Sequence, residues 1–525
     1  LNRSKTFTAF AFFLIFGLWI YSFLHVPTYD LDEALYRRVA EEMKWNGDFW
    51  HPVWDGRPLH HKPPFYYWLI AIFSWMIDGK SAGVSLLAAR LPNLVATLGI
   101  LFSIARFVKK PGESIWKPFQ ESLLLWGCTL LPLLTTTAVL FDPIQTLFLL
   151  PCLLVPHRAF SEKRSIQRSE YLWMGVSMFA ATVFKGLNGL ILPSIAIALH
   201  TLISNWKSAI PAGLRFFTFS FLPASFFSAL MFFFLDQKIG RGFTEEFFLV
   251  HHFGRGTQAM EAHGGPVYYH WVVTLIGGGL LLPYGLDLWM RTRTSYRQWG
   301  FPMSFAIGTI LFFTISVTKL PHYTWPIWPA LVLQTLTFQY QTTLAPNGRR
   351  FPVWKIMLAP IAIVGIAIFA LILNPEWIPQ VDMNEFEVLL LSAAATFCVV
   401  VPWVYEKFMK QVEYLAFFNA MITLLIAVPL ASITERIFVT PMEETVQAFK
   451  NFRPQAGDCI WYTGPMSATL SLIMTKELGG GIYHNRCEPV GMKFLISPNS
   501  GASECQKRKM SVLHEGKTLT LCGQI

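Results

Sequence analysis

The sequence predicts a polytopic α-helical membrane protein that ends in a small α/β domain, and three observations carry that prediction. Of its 525 residues 53% are apolar and only 14% charged, with 46 Phe and 19 Trp, and the mean hydropathy is +0.42. A water-facing surface of this area needs far more charge. Apolar runs long enough to cross a bilayer recur through residues 1–432 and then stop. The basic residues between those runs fall repeatedly on one side, so the net charge of +10 reads as the excess of cytoplasmic loops. Nucleic-acid binding is excluded on that ground.

Residues 7–26 (FTAFAFFLIFGLWIYSFLHV) follow Arg3 and Lys5, and no small-residue cleavage site follows them. They read as a first span with its N-terminus inside, not as a signal peptide. Residues 64–77, opened by Pro63-Pro64, would make a helix of only about 21 Å, short of the hydrocarbon thickness. If this stretch crossed, the loops carrying Arg106, Lys109, Lys110 and Lys117, and Arg158, Lys163, Arg164 and Arg168, would fall outside. A Tyr/Trp-rich helix lying in the outer interface puts both inside, and that arrangement is expected. Further spans are expected at 86–107, 119–140, 143–157, 171–184, 187–204, 216–235, 269–288, 301–317, 323–340, 355–373, 388–404 and 415–432. With the first they make thirteen transmembrane helices, which places the C-terminus outside. Each later inside loop is basic, at Lys207 and Arg215, at Arg291, Arg293 and Arg297, at Arg349 and Arg350, and at Lys407 and Lys410.

Three stretches remain outside: a first loop at 27–85, a second at 236–268, and a tail at 433–525. In the tail, residues 459–462 and 490–496 read as strands beside a helix at 468–477, hence a small α/β domain. Cys128, Cys152 and Cys398 lie within spans as small buried residues. Cys459, Cys487, Cys505 and Cys522 all lie in the tail, where two disulfides of open connectivity suit an oxidising compartment. Zinc is the rival there, but no CxxC pair is present.

Charge crowded against a membrane is expensive, so the outer loops are where chemistry is sought. Asp30, Asp48 and Asp55 read as solvated loop charges. Asp32-Glu33 opens an amphipathic helix (Ala34, Tyr36, Val39, Ala40, Met43), either as a dipole-stabilised pair or as a reacting pair. His61-Lys62-Pro63-Pro64-Phe65-Tyr66-Tyr67-Trp68-Leu69 holds a lysine at the height of a lipid phosphate, or lets it snorkel. Asp142, before Pro143, reads as a helix N-cap, and Lys185-Gly186 interrupts two short spans. Glu245-Glu246-Phe247-Phe248-Leu249-Val250-His251-His252-Phe253-Gly254-Arg255, then His263-Gly264-Gly265-Pro266, and Lys319-Leu320-Pro321-His322-Tyr323 complete the outer motifs. Cations facing carboxylates beside lipid suit an anionic lipid phosphate and a reacting hydroxyl or phosphate.

In this order the motifs resemble those of the GT-C glycosyltransferases of the aminoarabinose transferase (ArnT) and protein O-mannosyltransferase type, over about residues 1–340. The resemblance implies a GT-C-like membrane domain at 1–432 in a bacterial inner membrane, with a periplasmic domain at 433–525. It implies transfer of a sugar from a polyprenyl-phosphate donor to lipid A, another glycan or a protein on the periplasmic face. Asp32 then falls on the catalytic aspartate and Lys62 on the lysine for donor phosphate, with Asp142 beside them. Glu33, Tyr66, Lys185, Arg255, Lys319, His322 and Tyr323 are the expected substrate-binding residues. The chain departs from the family at His61, usually acidic, at Leu35, often Arg, and at Phe184, often Thr. The family's metal therefore becomes a zinc expectation at His61 and His263. A transporter or flippase for polyprenyl-linked sugars is the rival, recognisable by broken polar segments at the bilayer midplane. An envelope assembly or receptor protein would leave the Asp32 and Lys62 motifs unused.

Overall fold

The computed structural model describes residues 3–27, 31–55, 57–80, 82–204, 206–240, 242–257, 263–291, 300–344, 353–374, 377, 381, 383–408, 411–451, 460–462, 473–474, 494–498, 505, 510–515 and 519–523. α1 (Arg3–His25) leads to α2 (Leu31–Asn46), a hairpin of β1 (Val53–Trp54) and β2 (Arg57–Pro58), and α3 (Phe65–Ile77). Then come α4 (Leu86–Val108), α5 (Trp116–Gly127), α6 (Leu131–Thr135), α7 (Phe141–Ser161), α8 (Arg168–Lys185) and α9 (Asn188–Ser204). α10 (Trp206–Phe216) runs through a π turn into α11 (Leu222–Ile239). Two single turns, α12 (Phe243–Glu245) and α13 (Arg255–Thr257), flank a π-helix at Glu246–Gly254. α14 (Tyr269–Gly277), α15 (Leu281–Arg291), α16 (Phe301–Ile315), α17 (Ile327–Leu344), α18 (Val353–Leu373), α19 (Glu385–Phe408), α20 (Val412–Thr434) and α21 (Thr440–Lys450) follow.

The protein is an α-helical bundle with several apolar helices, and these follow the expected spans in order. Among the described residues five helical segments are long and apolar enough to cross a bilayer: Lys5–His25, Leu86–Val108, Phe141–Ser161, Ile210–Ile239 and Val412–Phe449. The pair Tyr269–Gly277 and Leu281–Met290, bent by 86°, makes a sixth if it is one span. α3 buries Tyr66, Tyr67, Ile70, Ala71 and Ser74 against the protein and leaves Ile72, Trp75, Met76 and Ile77 exposed. At 13 residues it is too short to cross unaided.

Two expected spans are broken, and the reason is in the backbone. The stretch at 119–140 stops at Gly127, resumes for five residues and ends at Thr135. The stretch at 269–288 turns at Gly277-Gly278-Gly279, where Gly279 has φ +50°. In hydrocarbon each freed N–H and C=O costs several kcal/mol unless it is bonded. Here the two breaks bond each other: Leu130 N–H donates to Gly277 O (2.8 Å), and Leu280 N–H (2.8 Å) and Leu281 N–H (3.1 Å) donate to Cys128 O. Asn419 of α20 donates from Nδ2 to Gly127 O (3.0 Å) and Thr129 O (2.8 Å). A Cβ on Gly279 would lie 2.5 Å from Asn419 Oδ1 and 2.7 Å from Cys128 O. Neither break itself carries an ionisable side chain other than the buried Cys128 thiol.

In the tail, β3 (Ile460–Tyr462), β4 (Phe494–Pro498), β5 (Ser511–Glu515) and β6 (Leu519–Gly523) form one sheet in the order β3-β4-β6-β5. β3 and β4 are parallel, the other pairs antiparallel. Of the two expected strands, 460–462 and 494–496 are extended, while 459 and 490–493 lie outside the described residues; β5 and β6 were not expected. Met442, Val446 and Phe449 of α21 pack with Ile496, Leu519 and Leu521. Of the expected helix at 468–477 only Ile473 and Met474 lie among the described residues, and both are helical. Cys505 and Cys522 are disulfide-bonded; Cys459 and Cys487 lie outside the described residues. Cys128, Cys152 and Cys398 are free and buried, as expected.

Asn419→Leu strands two buried carbonyls and should lower unfolding stability in detergent by about 2–3 kcal/mol. Denaturant melts of wild type and variant check this; an unchanged midpoint would mean the breaks hold without the amide.

Candidate active site

The site begins at the end of α1. Arg90 of α4, 2% exposed, donates to the carbonyls of Ser22 and Val26 (2.9 Å for Val26) and grips both oxygens of Glu33 at 2.6 and 2.9 Å. It supplies donors to carbonyls that a helix end leaves unpaired and fixes the start of α2 to α1 and α4. Farther along α2, Arg38 meets Glu41 (3.0 Å), Glu42 (3.1 Å) and Asp55 (3.2 Å). Burial lowers the Arg38 pKa, but the facing carboxylates of Glu42, Asp55 and Glu41 outweigh it and the net shift is upward. Asp55 is therefore not a solvated loop charge but 3% exposed, tying the hairpin to α2. Asp48 is exposed as expected, and Asp30 lies outside the described residues.

α2 held in this way presents Asp32 and Tyr36 to a cavity of about 400 Å³. The same cavity is lined by Lys62, Asp142, Lys185, Asn188, His251, His252, His322 and Tyr323, with Phe141, Phe312 and Ile315 among its apolar walls. Six residues that the sequence singled out, from five separate parts of the chain, thus meet. Asp142 is not the N-cap of α7, a position held by Leu140; it sits in the first turn. Lys185 Nζ pairs with Asp142 Oδ1 and lies 5.3 Å from the centre of the Tyr323 ring. The chain leaves α8 at Gly186 with φ +127°, and a Cβ there would strike the His252 imidazole. Only glycine allows that elbow.

Other expected residues serve the frame. Glu33 is taken up by Arg90 and does not line the cavity. Tyr66 is fully buried and its hydroxyl donates to Asn93 Oδ1 (3.1 Å). Asn93 Nδ2 in turn donates to Leu140 O (2.8 Å), two residues before Asp142. Lys319 donates from Nζ to Phe313 O (3.1 Å) and Thr314 O (2.7 Å), capping the end of α16 instead of reaching the cavity. Leu35 is buried among Tyr66 and Tyr67. Arg255 opens α13; its side chain is outside what is described.

Of the two histidines expected to bind zinc, His61 lies in a cluster of possible ligands and His263 does not. His61, Glu246 and His251 bring one ligand atom each within 4.8 Å of one another, the group among the described residues that can hold a metal ion. His263 is exposed and not in it; its carbonyl accepts from Lys319 N–H (2.7 Å). Two imidazoles and a carboxylate are a donor set zinc accepts, with a fourth position for water or substrate. Glu246 is also held by His60 Nδ1 at 2.9 Å, the support that ligating carboxylates use. Glu246 and His251 are five residues apart, on different faces of an α-helix, but the π-helix brings them to one side.

No family model matches the chain. It is 24% identical over 380 residues to the undecaprenyl phosphate-alpha-4-amino-4-deoxy-L-arabinose arabinosyl transferase of Edwardsiella ictaluri, a match covering 69% of this chain and 65% of the relative. The Yersinia pestis protein of the same name is 26% identical over 330 residues, covering 61% of this chain and 56% of the relative. An uncharacterized protein of Aquifex aeolicus is 27% identical over 324 residues, 61% of this chain and 68% of that one. The chain spans somewhat under two thirds of the length of the first curated relatives it matches. In fold it is similar to the crystal structure of ArnT from Cupriavidus metallidurans bound to undecaprenyl phosphate, with a TM-score of 0.69, 17% identity and coverage of 99% of this chain and 98% of that one. The apo form of the same protein gives a TM-score of 0.67 at 16% identity, covering 100% and 99%. The resemblance to the aminoarabinose transferases is thus present in sequence and in fold.

The frame and the cavity separate by mutation. Arg90→Met leaves Glu33 buried without its partner and should cost about 3–5 kcal/mol of stability, whereas Asp32→Asn should leave the unfolding midpoint in place. Equal melting of Arg90→Met and wild type would remove the clamp from the account.

Proposed function

We propose that the chain is an integral-membrane glycosyltransferase that moves a sugar from a polyprenyl-phosphate donor to an envelope acceptor, such as lipid A, another glycan or a protein, on the outer face of a bacterial inner membrane. The observation that carries this is the convergence of Asp32, Lys62 and the Asp142–Lys185 pair on one cavity whose walls are otherwise largely apolar. Named relatives act on an undecaprenyl-phosphate sugar, and a structure with the same fold holds undecaprenyl phosphate. In topology we favour thirteen crossings with α3 in the outer interface, which puts the tail in the periplasm.

Lys62 receives the donor phosphate. As the bond from the anomeric carbon to the phosphate oxygen breaks, the electron pair stays on phosphate and its charge grows, which a preorganised ammonium stabilises. The new bond forms from the acceptor oxygen to the same carbon. With a hydroxyl acceptor, Asp32 takes the proton as general base; with a phosphate acceptor, which is already anionic, Asp32 orients the sugar. Asp142 holds Lys185 beside Tyr323, where it meets sugar oxygens. His61, Glu246 and His251 would hold a zinc ion, which when bound would supply positive charge beside the donor phosphate.

Lys62→Ala should weaken undecaprenyl-phosphate binding and cut turnover about 10²- to 10³-fold. Asp32→Asn should leave binding largely intact while turnover falls about 10²- to 10⁴-fold. Reconstituted protein assayed with lipid-linked sugar checks both; near wild-type turnover for Asp32→Asn would reduce Asp32 to a helix-end charge. Metal analysis of purified protein should find about one zinc per chain in wild type and in His263→Ala, and none in His251→Ala or Glu246→Ala. Zinc retained in the latter two would remove the site.

A further inference from the structure

We propose that His252 is a positioning residue that splints the α8–α9 elbow and thereby sets Lys185 in the cavity. The inference goes beyond the transferase reading, on which the use of Lys185 rests. The imidazole bridges two backbones: Nδ1–H donates to Phe247 O (2.9 Å) inside its own π-helix, and Nε2 accepts from Leu187 N–H (3.3 Å) across the cavity wall. These two bonds demand the neutral ring with its proton on Nδ1. Leu187 precedes α9, where the first N–H groups have no partner within the helix, and the ring supplies one. Between the bonded ends lies Gly186, whose backbone the ring touches so closely that a Cβ would collide with it and with the Phe247 ring, 3.0 Å away. Lys185 therefore cannot swing at its C-terminal side while the ring is in place, and its ammonium stays between Asp142 and Tyr323. Because His251, the neighbouring residue, faces His61 and Glu246, the π-helix links that cluster to the elbow.

The test reads Lys185 directly and needs no substrate. Full-length protein in nanodiscs is reductively methylated with formaldehyde and borane, and the extent at Lys185 is measured by peptide mass spectrometry against exposed Lys80 and against Lys62. His252→Ala should raise the Lys185 rate about tenfold, the effect of losing one buried hydrogen-bond partner, with Lys62 and Lys80 unchanged. His252→Gln, which keeps a donor and an acceptor, should return the rate toward wild type. Gly186→Ala should also raise it, and the double variant Gly186→Ala with His252→Ala should show less than the product of the two effects, because the collision is gone. An unchanged Lys185 rate in His252→Ala, an equal rise at Lys62, or fully multiplicative effects in the double variant would each overturn the proposal. A chain that transferred no sugar would still give the Lys185 result, so the two readings fail separately.

Discussion

The arrangement depends on one guanidinium. Arg90, inside α4, closes the end of α1 and holds Glu33 with two bonds, so the start of α2 is fixed to α1 and α4. Everything outward of that point inherits the orientation. The Arg38 ion pairs tie α2 to the hairpin farther along, and Asp32 lines the cavity while its neighbour Glu33 is taken up by Arg90. A buried charge is costly and its pairing recovers only part of the cost, so the return on Arg90 is in placement more than in stability.

A second constraint comes from the medium. A helix may break within apolar surroundings only where other groups take up its backbone, and the protein meets this by letting two breaks, at 128–130 and 277–280, bond each other with Asn419 as a third party. The same requirement explains the outer end of the bundle. Asn93 holds the carbonyl of Leu140, Lys319 those of Phe313 and Thr314, and His252 the N–H of Leu187. These polar side chains satisfy irregular backbone around Asp32, Lys62, Asp142 and Lys185.

That distinction marks what the sequence could tell. Helices were legible from apolar runs, and Asp32, Lys62, Asp142, Lys185, His322 and Tyr323 from charge and aromatic residues at helix ends. Which of two adjacent acids reaches the cavity was not legible, because the partner that claims Glu33 lies 57 residues away. Glu246 and His251 were passed over because their spacing makes a face only in a π-helix, and no residue pattern announces that helix beforehand. Asp55 read as solvated because its partners Arg38 and Glu42 belong to a helix face that appears polar by composition and is buried by three-dimensional pairing. The breaks were hidden by the strong hydropathy of the residues around them.

On the proposed function, donor phosphate and reacting carbon meet between Lys62 and Asp32. A cryo-electron microscopy structure of the protein in nanodiscs, with a non-hydrolysable undecaprenyl-phosphate sugar analogue, tests it most directly. The phosphate should lie within about 3 Å of Lys62 Nζ, a hydrogen-bonding distance, with the sugar in the cavity facing the Asp32 carboxylate. Phosphate density outside that cavity, with Lys62 turned away, would contradict it.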